Sequence, residues 1–208
     1  GTISIGADAV AQAINIGTAA AARTITVGNN TGATAIIINS GTEQVQVDGV
    51  THYGASAGNP TARAGGFQDG DKYFDTNLHM EMRYDGSRVK WLSVEGAYIY
   101  FGRNNNTPVD TYYKGMDGLV MSSTSGFRAP FNGTITAIGY TRSDSDAATF
   151  DVVEGGTSRA TLASSATSGA TTAANGNFTS GGILAVANQA GGNTVSNVAG
   201  WVRVQWRA

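Results

Sequence analysis

The chain has 208 residues, with 13 basic and 15 acidic side chains and no Cys. This near balance gives no electrostatic case for a nucleic-acid or anionic-membrane partner, and the missing thiols exclude disulfides and thiolate metal sites. No apolar run approaches the roughly 18 residues of a membrane span, so membrane insertion is not expected. Gly fills 29 positions, about twice the usual share of about 7%. Long-side-chain helix formers such as Lys and Glu are scarce, so short β segments joined by small-residue turns are expected. The chain begins at Gly1 rather than Met and shows no signal peptide, which suggests processing or excision from a longer chain.

Residues 1–50 contain no aromatic side chain and only four charges: Asp8, Arg23, Glu43 and Asp48. They carry a repeat. Ile3 and Ile5 precede Gly6, Ile14 and Ile16 precede Gly17, Ile25 and Val27 precede Gly28, and Ile36 and Ile38 precede Asn39, a period of 11 residues. Two apolar side chains two apart share one face of a strand, and the Gly or Asn that follows suits a turn. Four such strips, at about 25 cal/mol per Å2 buried, do not offset an ordering cost of about 1–2 kcal/mol per residue. Three parallel copies that point their Ile pairs at a common axis would close a core, and a narrow axis leaves no room for rings. The expected shaft core is therefore Ile3, Ile5, Ile14, Ile16, Ile25, Val27, Ile36 and Ile38. A disordered linker would lack such phased β-branched residues.

Residues 54–70 are turn-rich and read as a linker. "KYFDT" and "HMEMRY" then read as strands around a turn at Asn77, and "YDG" as a hairpin turn with Gly86 at positive φ, returning through "SRVKWLSV". Met80, Met82 and Tyr84 share one face of this meander, with Glu81 and Arg83 on the other. From about Ala97 onward eight short strands are expected: "AYIYFG", "GLVMSS", "GTITAIGYTR", "TFDVVEG", "RATLAS", "GNFTS", "GILAVANQ" and "GWVRVQWRA". Their number and spacing suggest a β-sandwich or jelly roll. In the last strand Val202, Val204 and Trp206 take one face, and Trp201, Arg203 and Gln205 the other. The expected fold is all-β: an intertwined trimeric shaft over 1–50, a linker and small β-meander over 51–95, and a jelly-roll-like sandwich over 96–208.

The 11-residue "INIG…TITVG" pattern resembles repeats in the shafts of bacteriophage tail fibres. "GDKYFDTNLHMEMRYDGSRVKWLSV" is similar to a module of those fibres, through Gly70-Asp71, Tyr73-Phe74, Asp75-Thr76, Tyr84-Asp85-Gly86 and Trp91. "FRAPFNGTITAIGYTRSDSDAATFDVVEGG" looks like the jelly-roll tip of trimeric viral fibres and of the C1q/TNF-like fold, with Phe131-Asn132-Gly133 opening a core strand. The resemblance implies a homotrimeric virion fibre, either tail or head fibre. Other virion proteins would sit at its N-terminal end, and its distal domain would attach to a host-surface glycan or protein. Alternatives are a capsid or collar decoration spike without a receptor, a C1q/TNF-like adhesin, and a glycan depolymerase.

Enzymatic chemistry needs converging groups, and few are visible. His52 and His79 each stand alone, and no transition-metal spacing is present. Asp144 and Asp146 alternate in "RSDSDAA" and could contact Ca2+, but the further ligands of a Ca2+ loop are missing. Asp110, Asp117, Asp151 and Glu154 are available carboxylates, which sequence cannot pair across a cleft. No catalytic, cofactor or metal residue is assigned, and the protein is not expected to be an enzyme. Binding is the better reading. Tyr98, Tyr100, Arg103, Asn104, Asn105, Asn106, Tyr112 and Tyr113 combine aromatic faces with hydrogen-bonding groups, as sugar sites do. The "RNNN" run is the first choice for an exposed receptor loop. Tyr98 and Tyr100 are alternatively core or trimer-interface residues, and Trp201 is either a subunit contact or a platform for a sugar ring.

Overall fold

The computed structural model describes residues 27, 38, 54–60, 66–189 and 193–207. Two compact units are distinguished, Gly1–Thr51 and His52–Ala208, and every strand below belongs to the second. Of the expected shaft core, Ile3, Ile5, Ile14, Ile16, Ile25 and Ile36 lie outside the described residues, as does His52. Val27 and Ile38, equivalent positions of successive repeats, are 65% and 69% exposed in the single chain. The described residues are all-β, with no helix among them.

The first sheet is the meander. It comprises β1 (Ala55–Ser56), β2 (Lys72–Asp75), β3 (Met80–Asp85) and β4 (Lys90–Ser93), in that order, with β1 parallel to β2 and the rest antiparallel. Its two hairpin loops, residues 76–79 and 86–89, are closed alike. Asp75 Oδ1 accepts from the amides of Asn77 and Leu78, both at 2.9 Å, and Asp85 Oδ1 accepts from the Arg88 amide at 3.0 Å. Gly86 does not take positive φ. The left-handed residue is instead the last of each loop, His79 (φ 53°) and Val89 (φ 54°), because each loop has four residues rather than two. The Gly86 amide donates to Asp69 Oδ1 at 2.9 Å.

Tyr73, Met82 and Trp91 are buried in this module, with Met80 and Tyr84 packed beside them on the face expected for β3. Tyr73 and Phe67 meet the Trp91 ring edge-on at 4.9 and 5.0 Å between centroids. On the opposite face Glu81 pairs with Lys72 at 2.7 Å, and Arg83 lies 3.9 Å from Asp69. Asp75 is fully buried, and its Oδ2 accepts from Tyr73 Oη at 3.1 Å and the Gly58 amide at 3.2 Å. Burial and the Asp75 carboxylate push the Tyr73 phenol well above its ordinary pKa. Asp75→Ala strips four donors of their acceptor and is expected to cost about 2–3 kcal/mol, read from the urea midpoint of the full chain. Asp75→Asn, which keeps one acceptor oxygen, should lose less.

The remaining strands form the sandwich. They are β5 (Gly96–Thr107), β6 (Thr111–Tyr112), β7 (Phe127–Arg128), β8 (Gly133–Thr141), β9 (Ala148–Glu154), β10 (Thr157–Ser164), β11 (Ser168–Thr171), β12 (Gly176–Phe178), β13 (Ile183–Asn188) and β14 (Val195–Trp206). One sheet runs β11-β8-β14-β5, with β12 also on β8. The other runs β10-β9-β13-β6, with β7 also on β13. All pairings in both sheets are antiparallel. The chain passes back and forth between the sheets, so sheet neighbours come from distant parts of the sequence. This strand order is that of a jelly roll.

Inward side chains from both sheets make one core. Phe150 lies near its centre, 4.2 Å from the Tyr140 ring, 5.8 Å from Tyr113 and 6.1 Å from Phe101. Phe131-Asn132-Gly133 leads into β8 as expected. Gly155 and Gly156, both at positive φ, close the two-residue β9–β10 hairpin. The expected strand "GLVMSS" is not one. Residues 114–125 make only isolated bridges, Lys114 with Gly102 and with Val120, and Ser122 with Ser125. The turn at Gly118 (φ 76°) folds the segment back, and Met121 alone of its apolar residues is buried. The strands β6 and β7, of two residues each, are too short to display a period of two, and β11 alternates in burial but is built of the small residues Ser, Gly, Ala and Thr.

The meander packs on the outer face of the β11-β8-β14-β5 sheet. Between Arg203 and Val204 the β8–β14 register shifts, so that Ala137 faces Arg203 while Ile135 faces Val204. Thr136 is the bulged residue, and its free carbonyl accepts from Arg88 Nη2 at 2.9 Å. Arg88 Nε also donates to the Ala174 carbonyl at 2.8 Å, and Nη2 to that of Thr172. At the other end Ser93 joins β4 to β14: its Oγ accepts from the Trp206 amide at 2.9 Å, and its carbonyl from Gln205 Nε2 at 2.6 Å.

Candidate functional site

The outer face of the β5-β14-β8 strands is a grid set by register. Tyr100, Trp201 and Gly139 form one row, and Tyr98, Arg203 and Ala137 the next. Because β5 alternates, Ile99 and Phe101 point into the core while Tyr98 and Tyr100 point out, 51% and 49% exposed. Their rings stack at 6.3 Å, and Trp201 meets Tyr98 edge-on at 5.7 Å. The small residues of β8 make room for this layer. A Cβ on Gly139 would sit 2.5 Å from Trp201 Cε2, so glycine at this position lets the indole lie against the sheet. The result is a three-ring aromatic ridge on an edge of the sandwich.

On one side of the ridge lies a groove of about 570 Å3 between the sandwich and the meander. Its floor includes Ala137, Trp201, Arg203 and Gln205, and its far wall Arg83, Tyr84, Asp85 and Arg88. Burial alone would raise the Asp85 carboxyl, but hydrogen bonds from Ser87 and Arg88, with the Arg88 charge, hold it below the usual carboxylate range. On the other side of the ridge, a cleft of about 280 Å3 is lined by Met116, Leu119 and Met121 beside Tyr98 and Tyr100.

The structure unites Tyr98, Tyr100 and Trp201 and separates the other expected binding residues from them. Arg103 to Asn106 do not form a loop. They are the C-terminal part of β5, held to β14 across a bulge by the Asn105 amide on Asn197 Oδ1 (2.9 Å) and by Ser196 Oγ on Asn106 Oδ1 (2.7 Å). Asn105 takes φ 67° there, and the run lines a separate shallow groove with Lys114. Tyr112 is half-buried on β6 in the other sheet, and Tyr113 is fully buried in the core, its phenol raised in pKa by that burial. Neither offers an open ring face. Sequence reasoning missed Arg83 as a neighbour of Trp201, and it placed Gln205 on the face of Trp201 without giving it a role. Arg203 was placed on the same face of β14 but given no role.

Three of the carboxylates singled out earlier, Asp144, Asp151 and Glu154, are engaged in ion pairs or hydrogen bonds with neighbouring strands and turns. Asp144 Oδ1 lies 3.1 Å from Arg142 Nη1, and its Oδ2 accepts from the Ser196 amide. Glu154 binds Arg159 at 2.7 Å and accepts from Thr179. Asp151 accepts from Ser158 Oγ at 2.6 Å, and its burial raises its pKa. Among the described residues, no three His, Asp or Glu side chains converge as a metal site would require. No protein-family model, curated protein or solved structure matches this chain.

Proposed function

We propose that this chain is a homotrimeric fibre protein of a bacteriophage particle, with its C-terminal sandwich as the domain that attaches to the host surface. The observation that carries this reading is the 11-residue Ile-pair repeat preceding a β-meander and a jelly-roll sandwich. The exposure of Val27 and Ile38, at one phase of successive repeats, supports it, since apolar side chains at that spacing call for a partner surface. The exposed Tyr98-Tyr100-Trp201 ridge supports attachment. Three tips on one fibre would multiply a weak single-site affinity.

Light scattering on the full chain should give three times the mass of the protomer, and a folded monomer would sink the reading. Ile25→Asp, which would set three carboxylates on one axis, should abolish the trimer, whereas Thr26→Asp on the outward face should leave it intact. Equal behaviour of the two would disprove the phase. Labelled trimer should also bind intact host cells. A trimer consistently silent against its true host would favour a decoration spike without a receptor.

A further inference from the structure

We propose that the groove between the meander and the sandwich binds an oligosaccharide carrying an anionic substituent, with Trp201 and Tyr98 taking sugar-ring faces and Arg203 taking the anion. This deepens the host-attachment reading and rests on it for its biological setting. Three observations lead to it. First, the groove holds about 570 Å3, within the range of about 300–1,000 Å3 typical of small-ligand sites. Second, the aromatic ridge borders the groove, and its Trp201 and Tyr98 rings meet at 70°. Two rings set at that angle can take two sugar faces of different orientation, as along a bent oligosaccharide.

The third observation is charge. Three arginines and two aspartates line the groove: Arg83, Arg88 and Arg203 against Asp69 and Asp85. Arg88 is committed to Asp85 and to three carbonyls, and Arg83 faces Asp69. No hydrogen bond or ion pair engages the Arg203 guanidinium among the described residues. Three less two leaves one net cation, half-buried beside the indole. A guanidinium there presents a planar fork suited to a carboxylate or a sulfate. On the same lining, Gln205 Nε2 donates to Ser93 and Ser87 Oγ to Asp85, which leaves Gln205 Oε1 and the Ser87 oxygen to accept from sugar hydroxyls.

The test is an array printed with neutral, carboxylated and sulfated oligosaccharides, probed with the full-length protein. Anionic members should exceed their neutral parents by at least tenfold, and the carboxylated and sulfated arms identify which anion is preferred. Trp201→Ala should abolish the signal on all members. Tyr98→Ala, at a half-exposed position, should reduce it at least fivefold without disturbing the fold, as checked by circular dichroism. Arg203→Gln should bring anionic members down to the level of their neutral parents. Arg128→Gln, an equal loss of charge on β7, should change nothing. Equal signals on neutral and anionic members, an unchanged Arg203→Gln, or an equal loss in Arg128→Gln would each overturn the proposal, as would silence across the array. A trimer that binds cells while the array stays silent rejects the glycan site and leaves the fibre reading standing. A monomer that binds the array does the reverse.

Discussion

Phe150→Ala is expected to lower the unfolding free energy by about 3–5 kcal/mol. The ring is fully buried on β9 and contacts aromatic side chains from both sheets. Tyr140 stacks on it from β8 at 4.2 Å, Phe101 approaches from β5, and Tyr113 stacks from the segment after β6. Removing it opens a cavity walled by three large rings. These cannot close in: Phe101 and Tyr140 sit on sheet strands, Tyr140 Oη also donates to the Ala166 carbonyl at 3.0 Å, and the Tyr113 amide donates to the Val186 carbonyl at 2.9 Å. Phe150→Leu keeps most of the volume and should cost less. Urea unfolding of the full chain followed by tryptophan fluorescence reads both. A loss below about 1 kcal/mol for Phe150→Ala would show that the two sheets do not share this core.

Arg88→Ala is expected to cost about 3–4 kcal/mol and to free the meander from the sandwich. Its side chain is 13% exposed and bridges Asp85 to three carbonyls of β8 and the β11–β12 loop. One of those carbonyls belongs to the bulged Thr136, which has no ladder partner there. Deleting the guanidinium leaves that oxygen and the Asp85 carboxylate without it. Arg88→Lys should not rescue, because a single ammonium cannot reach the same acceptors in the geometry of a planar fork. Limited proteolysis at residues 86–89 and thermal unfolding read the release. Acid should act in the same direction. The folded Asp85 carboxyl titrates below its ordinary value, so its contribution is present above about pH 4 and is lost as pH falls through the depressed folded value. Arg88→Ala should flatten that part of the pH profile.

Much of the sandwich was legible from side-chain alternation. The Val202-Val204-Trp206 face turns inward and the Trp201-Arg203-Gln205 face outward, as a period of two requires. The paired glycines at 155 and 156 mark the one tight hairpin between long strands. Asp75 and Asp85 at the mouths of the meander loops are equally local, since each caps amides two or three residues away.

The candidate site was legible only in part, and the reason is separation along the chain. Tyr98 and Tyr100 could be assigned to one face of β5, but alternation does not say whether that face is covered. Antiparallel pairing places Tyr98 beside Arg203 and Tyr100 beside Trp201, across a hundred residues. The small β8 residues beneath them come from a third strand. Arg103 to Asn106 read as a polar loop because nothing local reveals that β14 pairs with them. Tyr113 read as an available ring because the stack formed with Phe101 and Phe150 exists only once both sheets close. Local periodicity establishes which side chains share a face. The pairing of distant strands and the docking of the meander through Arg88 then make one of those faces core and the other an aromatic groove with a spare cation.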